Sequence, residues 1–128
     1  MEQFSVLSVP ARLVPSYLSA ADAGVSFIKR CVSKLASSPT KNAEYLACGL
    51  PLIINAGIGD SDALIHDWKA GALLEDFTDD EYARVGTLIE TMAAQPATRE
   101  NARAVAERVF DLQTVGVERY AALYERVY

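Results

Sequence analysis

Short apolar runs of strand length recur along the chain and alternate with segments of helical periodicity. The run at residues 52–55 (LIIN) carries apolar side chains on both faces. That pattern is typical of a central parallel strand that helices cover on each side. Further runs lie at residues 4–9 (FSVLSV), 23–28 (AGVSFI) and 71–74 (GALL). The sequence therefore predicts about four strands, at the low end for a parallel sheet.

Helices are predicted between these strands and after the last one. Short helices are expected at residues 14–21 and from Asp60 or Ser61 to about Lys69. Thr78 and Glu81 have the spacing of a capping box, at the start of a longer helix that stops before Pro96. A further helix is predicted to begin at Thr98 as its N-cap, and a last one to continue to the end of the chain. The apolar positions of the first two of these helices, which we expect to face the core, are Tyr82, Val85, Ile89 and Met92, then Ala102, Val105, Ala106 and Val109. The last helix has an apolar stripe of Val117, Tyr120, Ala121, Tyr124 and Val127. Two interpretations of this stripe stay open: either it packs on the sheet, or it is an uncovered surface that an absent partner would contact.

One more helix is predicted at residues 39–48, after a loop at residues 29–38. Ser38 suits the N-cap, Pro39 the first helical position, and Gly49 the left-handed position that ends a helix. Short apolar strands that alternate with helices indicate an α/β fold. The expected architecture is a Rossmann-like, mainly parallel sheet with helices on both faces, formed by residues 1–128 as a single domain.

Composition narrows the function classes. The 128 residues carry 12 basic and 17 acidic side chains, a formal charge of -5, and no Lys/Arg cluster. This balance argues against nucleic acid as a partner. No apolar run approaches the roughly 20 residues of a membrane span, and the N-terminus lacks the pattern of a signal peptide. A cytoplasmic location is the default expectation.

Cysteine and histidine offer little to catalysis or metal binding. Cys31 and Cys48 fit no metal or redox spacing, so we expect reduced thiols. His66 is the single histidine, and a surface or packing role is the simplest interpretation. No metal site and no cofactor are expected, and the sequence singles out no catalytic residue.

The helix predicted at residues 39–48 carries the most suggestive chemistry. Its N-terminus should lie at the carboxyl edge of the sheet, where ligands of open α/β sheets bind. The free N–H groups of Thr40 and Lys41, with the helix dipole, would suit a phosphate, and the Glu44 carboxylate would suit a pair of sugar hydroxyls. The alternative is that Lys41 and Glu44 form a solvated ion pair one turn apart, worth a few tenths of a kcal/mol.

A second segment is expected at the same edge. Gly57 and Gly59 form a turn that opens the following helix, and glycine lets main chain approach a ligand closely. Many tight turns share this composition, so the turn alone is a weak indication of a binding site.

Four segments resemble the group 1 glycosyltransferases, in the order that the family has them. NAEYLACGLPLI is similar to the family's E-(aromatic or apolar)-(M/L)-A-C-G-x-P-V-(I/V) segment. VPSYLSAADAGVSFI resembles a segment upstream of it, AGIGDSDALIHDWKAGALLE one downstream, and RYAALYERVY the closing helix. These retaining enzymes use nucleotide-diphosphate sugars and have two Rossmann-like domains facing across a cleft, the GT-B architecture.

The resemblance implies roles for individual residues. Glu44 matches the second glutamate of the family's E-x7-E motif, which binds the ribose hydroxyls of the nucleotide. Ser38, Thr40 and Lys41 match the segment whose helix start faces the donor diphosphate. Gly57 and Gly59 match the loop beside the donor sugar or base. The implied activity is transfer of a sugar, with retention, from a nucleotide sugar to an acceptor.

The chain also departs from the family pattern. Ala36 stands where the first motif glutamate would fall, and SPTKNAEY looks like a variant subgroup with S-P-(T/N)-K-x-x-E-Y. The first two strand-helix units of the donor domain, with their basic residues, have no match, and neither has the N-terminal acceptor domain. We therefore expect an incomplete GT-B C-terminal domain that is inactive by itself and that self-associates through its uncovered surfaces.

Two other interpretations remain open at this point. One is a non-catalytic α/β module that binds a nucleotide or a partner. The other is a fragment of an epimerase or phosphorylase of the same two-domain architecture. The donor base, the sugar and the acceptor are not specified by these residues.

Overall fold

The computed structural model describes residues 4–127, which form a parallel sheet surrounded by helices. The strands are β1 (Gly24–Ser26), β2 (Leu52–Asn55) and β3 (Gly71–Leu74). The helices are α1 (Val14–Leu18), α2 (Thr40–Ala47), α3 (Ser61–His66), α4 (Asp79–Ala93), α5 (Pro96–Val109) and α6 (Glu118–Val127). Short 3-10 turns at Ala11–Leu13 and Val32–Ala36 and a π-helical segment at Leu112–Val117 complete the described chain.

The sheet has the order β1-β2-β3, and both strand pairs are parallel. Gly24 of β1 lies beside Leu52 of β2, which in turn lies beside Gly71 of β3. Each crossover contains a helix, as parallel neighbours require. The chain is thus α/β with a Rossmann-like parallel sheet, and the prediction that residues 52–55 form the central strand is confirmed.

Apolar side chains of β2 point alternately into two core clusters. Leu52 and Ile54 are buried with Leu46 of α2 and Val105 of α5. On the other face, Ile53 packs against a second cluster of Ala72, Leu74, Val85 and Ile89, which joins β3 to α4. Helices therefore cover both faces of the central strand, and this explains why it has no polar face.

The predicted strand at residues 4–9 is wrong. This segment has no regular secondary structure, and Phe4, Val6 and Leu7 are exposed, with Val6 at 88%. An apolar run becomes a strand only where it pairs with a neighbour, and residues 4–9 take no place in the sheet. The described residues accordingly contain three strands where about four were predicted.

Several helix ends differ from their predictions. Pro39, and not Ser38, is the N-cap of α2, and no side chain caps that helix. α5 begins at Pro96, two residues before Thr98, because proline fits a first helical position, where the N–H is not needed. α3 ends at His66, before Lys69, which has a left-handed φ of 55°. Gly49 has a φ of 75°, which confirms the left-handed end of α2.

The longer helices follow their predicted periodicity. Thr78 caps α4 by accepting the Glu81 N–H at 3.3 Å, which confirms half of the capping box. The expected core faces of α4 and α5 are buried at Val85, Ile89, Ala102, Val105 and Ala106. Tyr82, which was also expected to face the core, is 47% exposed in the first turn of α4. α6 has no buried residue, so its apolar stripe, including Tyr120 and Val127, is exposed. Of the two interpretations of this stripe, the structure agrees with the uncovered surface.

Candidate functional site

The carboxyl edge of the sheet carries a small cavity between two connecting segments. It has a volume of about 210 Å³, and its walls are the end of the loop before α2 and the turn before α3. Ser38 and Gly59, two of the predicted site residues, both line it. Ala36, at the position of the expected first motif glutamate, lines the same cavity. The remaining lining residues are Leu35, Ser37 and Asp60.

Gly59 is the residue that brings these two segments together. Its φ is 52°, and its N–H donates to the Lys34 carbonyl at 3.0 Å. A Cβ at this position would lie 1.7 Å from the Ser37 carbonyl oxygen, closer than any side chain allows. Only glycine fits both the backbone conformation and the contact, so Gly59 determines how closely the turn approaches the loop.

The first turn of α2 begins at this cavity. The Asn42 N–H bonds to the Pro39 carbonyl at 3.0 Å, whereas the N–H groups of Thr40 and Lys41 have no acceptor among residues 4–127. Unpaired N–H groups at the first turn, together with the helix dipole, favour an anion at this position. Two of the predicted donors are therefore available, next to the cavity that Ser38 and Gly59 line.

Lys41 and Glu44 do not pair with each other. The ion pairs within residues 4–127 are Arg84 with Glu81, Arg99 with Asp22, and Arg103 with Glu107. The interpretation of Lys41 and Glu44 as a solvated ion pair is therefore wrong for this structure, and both charges are available to other groups.

Glu44 lies on a different part of α2 from the Ser38–Gly59 cavity. It borders a groove of about 310 Å³ between α2 and α5, whose other walls include Arg103 and Phe110. It also borders a cavity of about 220 Å³ between α1 and α2. The structure thus places Glu44 at the boundary of two apolar-lined depressions, and it is not among the residues that line the cavity at the start of the helix.

The Gly57 N–H has an acceptor within the chain. It donates to both carboxylate oxygens of Asp62, each at 3.1 Å. With the Gly59 N–H bonded to Lys34, neither glycine amide of this turn is free for a ligand in this conformation. The turn therefore contributes shape to the edge, through φ values of 81° and 52°, more than it contributes hydrogen-bond donors.

Sequence reasoning did not single out Arg30, which lies across the same edge. Its Nε donates to the Ala56 carbonyl at 2.7 Å, and its Nη2 donates to the Glu75 carbonyl. A Cβ on Gly57 would lie 3.7 Å from the Arg30 Nε, so the guanidinium sits against the glycine turn. The available signal was the basic pair Lys29-Arg30 directly after an apolar run. This guanidinium puts a permanent positive charge at the carboxyl ends of β2 and β3.

Two buried polar residues were also missed. Asn42, fully buried in the first turn of α2, donates through Nδ2 to the Ser61 Oγ of α3 at 3.5 Å, and its Oδ1 has no partner among residues 4–127. The buried Ser26 Oγ also lacks one. The signal for Asn42 was its spacing of four from Leu46, which places both on the inner face of the helix.

The residues expected to have no catalytic role lie apart from one another. Cys31 and Cys48 are free thiols, and Cys31 is exposed. A hydrogen bond between the Cys31 Sγ and the Ser33 Oγ, 3.2 Å apart, and main-chain donors lower the pKa of the Cys31 thiol. His66 is exposed in the last turn of α3. No group of three or more metal-ligating side chains occurs within residues 4–127.

Comparisons of the chain with protein-family models, with curated proteins and with solved structures found no match. None of the helices in the described residues is both long and apolar enough to cross a membrane.

Proposed function

We propose that this chain supplies the nucleotide-sugar site of a retaining glycosyltransferase. The proposal rests on the resemblance of its sequence segments to that family and on one structural observation. The observation is the unpaired N–H groups of Thr40 and Lys41, at the carboxyl edge of a Rossmann-like sheet and next to the cavity that Ser38 and Gly59 line. This is the edge at which α/β sheets bind nucleotides.

In this proposal the donor diphosphate lies at the start of α2. The two N–H groups and the helix dipole stabilise its charge, and the Lys41 ammonium adds a cation that pairs with no carboxylate among residues 4–127. Stabilising the departing diphosphate is the contribution that sugar transfer requires of this domain. Arg30 adds positive potential at the same edge.

Glu44 is the proposed acceptor of hydrogen bonds from the ribose hydroxyls. Because it lies one turn further along α2, the nucleoside would extend from the helix start along the outer side of α2. The groove beside Glu44 offers apolar surface from Ala43, Ala47 and Phe110 against which a flat base could lie. This role for Glu44 follows from the resemblance, and a Glu44 variant tests it directly.

Nucleotide titration followed by amide NMR shifts tests this proposal. With UDP, GDP or ADP at millimolar concentration, we expect the largest shifts at Thr40 and Lys41, and a weak affinity because few cations surround the site. Lys41→Gln should weaken binding several-fold. Lys69→Gln, an exposed lysine at the opposite edge, is the matched control and should leave the affinity unchanged.

The same titration separates the role of Glu44 from that of the helix start. Glu44→Gln should weaken the binding of ribonucleotides but not that of 2′,3′-dideoxy analogues. Glu90→Gln on α4 should change the affinity for neither. Absence of shifts at Thr40 and Lys41 with all three nucleotides would rule out the proposed site. Sugar transfer is expected only when an acceptor domain is present, so acceptor-dependent turnover by this chain alone would contradict that part of the proposal.

A non-catalytic binding module is the second candidate. The observation that favours it is the internal use of the Gly57 and Gly59 amides, which removes two donors that a donor-sugar loop would offer. The titration distinguishes the two candidates. A non-catalytic module would bind a nucleoside diphosphate and the corresponding nucleotide sugar with equal affinity, whereas a donor site would bind the two with different affinities.

A further inference from the structure

The two edges of the sheet are protected very differently. At the β3 edge, the Leu73 carbonyl accepts a hydrogen bond from the Arg84 Nη2 at 2.7 Å. The Glu75 N–H, directly after β3, donates to the Glu81 Oε2 at 2.9 Å. Side chains of α4 therefore bond to two main-chain groups of this edge, and such cover hinders pairing with another strand.

The β1 edge has no such cover. The Gly24 N–H bonds to the Pro51 carbonyl at 2.9 Å, and the Ile28 N–H bonds to the Asn55 Oδ1 at 2.7 Å, so the even-numbered residues face β2. By the alternation of a strand, Val25 and Phe27 direct their N–H and C=O groups away from β2. No hydrogen bond to these groups occurs within residues 4–127.

The side chains at this edge are only partly covered. Val25 is 48% exposed and Phe27 41% exposed, on the face of the sheet that α4 covers only at the β3 side. The Phe27 ring contacts Phe77 edge to face, with 5.7 Å between ring centroids, and leaves its other side open. An exposed apolar edge with unpaired peptide groups is a template for an added strand. The remaining question is which strand fits it.

The charges that flank β1 favour one orientation. Asp22 precedes the strand, and its carboxylate is 87% exposed, with the Arg99 Nη2 at 4.0 Å, while Lys29 follows the strand. The Arg30 guanidinium does not contribute here, because it bonds to the Ala56 and Glu75 carbonyls of its own chain. The Lys29 ammonium has no hydrogen bond or ion pair in the described part of the chain. A copy of this strand that runs antiparallel brings the acidic end of each strand beside the basic end of the other. A parallel copy would place like charges together.

We propose that β1 is a self-association edge, at which a second copy of the chain adds its own β1 in antiparallel orientation. The two-fold axis passes between the two copies of Ser26, so that Val25 of each chain lies opposite Phe27 of the other. This register matches the peptide groups that point outward and pairs a β-branched with an aromatic side chain. The surface is self-complementary, as a two-fold dimer requires, and the inference does not depend on the proposed function.

Sedimentation at several concentrations tests the interface. Val25→Lys puts a charge at the edge and should raise the dimer dissociation constant at least about tenfold. Val117→Lys, on the exposed apolar side of the chain near α6, is the matched control because Val117 is 46% exposed. It should leave dimerisation unchanged. A monomeric wild-type chain at all concentrations, or loss of the dimer with Val117→Lys alone, would overturn the proposal.

Cross-linking tests the register without depending on the lysine variant. In a background with Cys31→Ser and Cys48→Ser, chains with Val25→Cys are mixed with isotope-labelled chains with Phe27→Cys. The register predicts a disulfide between the two kinds of chain, and several-fold less between two Val25→Cys chains. Leu88→Cys on α4, at a side chain 39% exposed, is the control for random collisions. Equal cross-linking in all mixtures would contradict the antiparallel pairing.

Discussion

The Asn55 side chain holds Ile28 as though it were another residue of the sheet. Its Oδ1 accepts the Ile28 N–H at 2.7 Å, and its Nδ2 donates to the Ile28 carbonyl at 3.0 Å. Asn55 is 1% exposed, so these bonds form away from water. They fix the chain just after β1, from which Arg30 and the loop to α2 continue. The Asn55 amide therefore helps to position the candidate site.

Replacing that amide should cost stability. Asn55→Ala leaves the Ile28 N–H and C=O without partners, and we expect the free energy of unfolding to fall by about 2 kcal/mol. Urea denaturation measures this change. Asn101→Ala is the matched control, because Asn101 is exposed while bonding to the carbonyls of Trp68 and Lys69; its loss should stay under about 1 kcal/mol. Equal losses in the two variants would contradict the role of Asn55.

Alanine at Gly59 should separate the loop from the turn. Gly59→Ala combines a φ of 52° with a contact of 1.7 Å to the Ser37 oxygen, so we expect a loss of about 1 to 3 kcal/mol. Gly86→Ala on α4 is the control, since a Cβ there meets nothing within 4 Å. This second change should stabilise the protein by about 0.5 to 1 kcal/mol. Thermal unfolding of both variants measures these changes in stability. A Gly59→Ala variant as stable as the wild type would argue against the close contact between Gly59 and Ser37.

The Glu81 carboxylate should make the stability of the protein depend on pH in the acid range. The Arg84 guanidinium, followed by the Glu75 N–H, lowers the pKa of the Glu81 carboxyl from 4.5 to about 2. A carboxyl with a lowered folded pKa stabilises the protein above its unfolded pKa. That contribution is lost as the pH falls from 4.5 through about 2. Glu81→Gln should therefore unfold at lower urea than the wild type at neutral pH, and the difference should disappear near pH 2.

A control for this prediction is available in α5. Glu107 pairs with Arg103 at 2.7 Å, the same length as the Glu81–Arg84 pair, but it accepts no main-chain N–H from the residues that the structure describes. Glu107→Gln should cost less stability at neutral pH. A Glu81→Gln difference that persists unchanged into acid would show that its effect does not come from the charge.

The side chain of Thr78 should contribute more to the stability of the fold than the side chain of Ser38. Thr78→Ala removes the acceptor of the Glu81 N–H, and we expect a loss of about 1 kcal/mol. Ser38→Ala should change stability by less than about 0.5 kcal/mol, because the α2 N-cap is Pro39 and no side chain caps the helix. Chemical denaturation of the two variants tests the difference. A larger loss at Ser38 would mean that its hydroxyl caps α2 in solution.

Local patterns in the sequence were enough to predict the elements that pack. Leu52 and Ile54 on one face of β2 and Ile53 on the other had to be covered, and Val85 and Ile89 repeat at a helical period, so burial of apolar area determines their environment. Gly49 and Thr78 act through their own backbone or a neighbour three residues away. Interactions between residues this close in the chain can be predicted from the sequence alone.

The tertiary structure decided what depends on distant partners. Residues 4–9 have the composition of a strand, yet a strand requires a neighbour, and the sheet gives them none. Arg30 crosses to Glu75 and Asn55 to Ile28, contacts that no periodicity encodes. Lys41 and Glu44 are one turn apart in the sequence, but their surroundings in the fold separate them: Glu44 faces the grooves beside α1 and α5, and the start of α2 faces the cavity at Gly59. Sequence spacing sets which residues share a helix, whereas the packing of other segments sets which of them share a site.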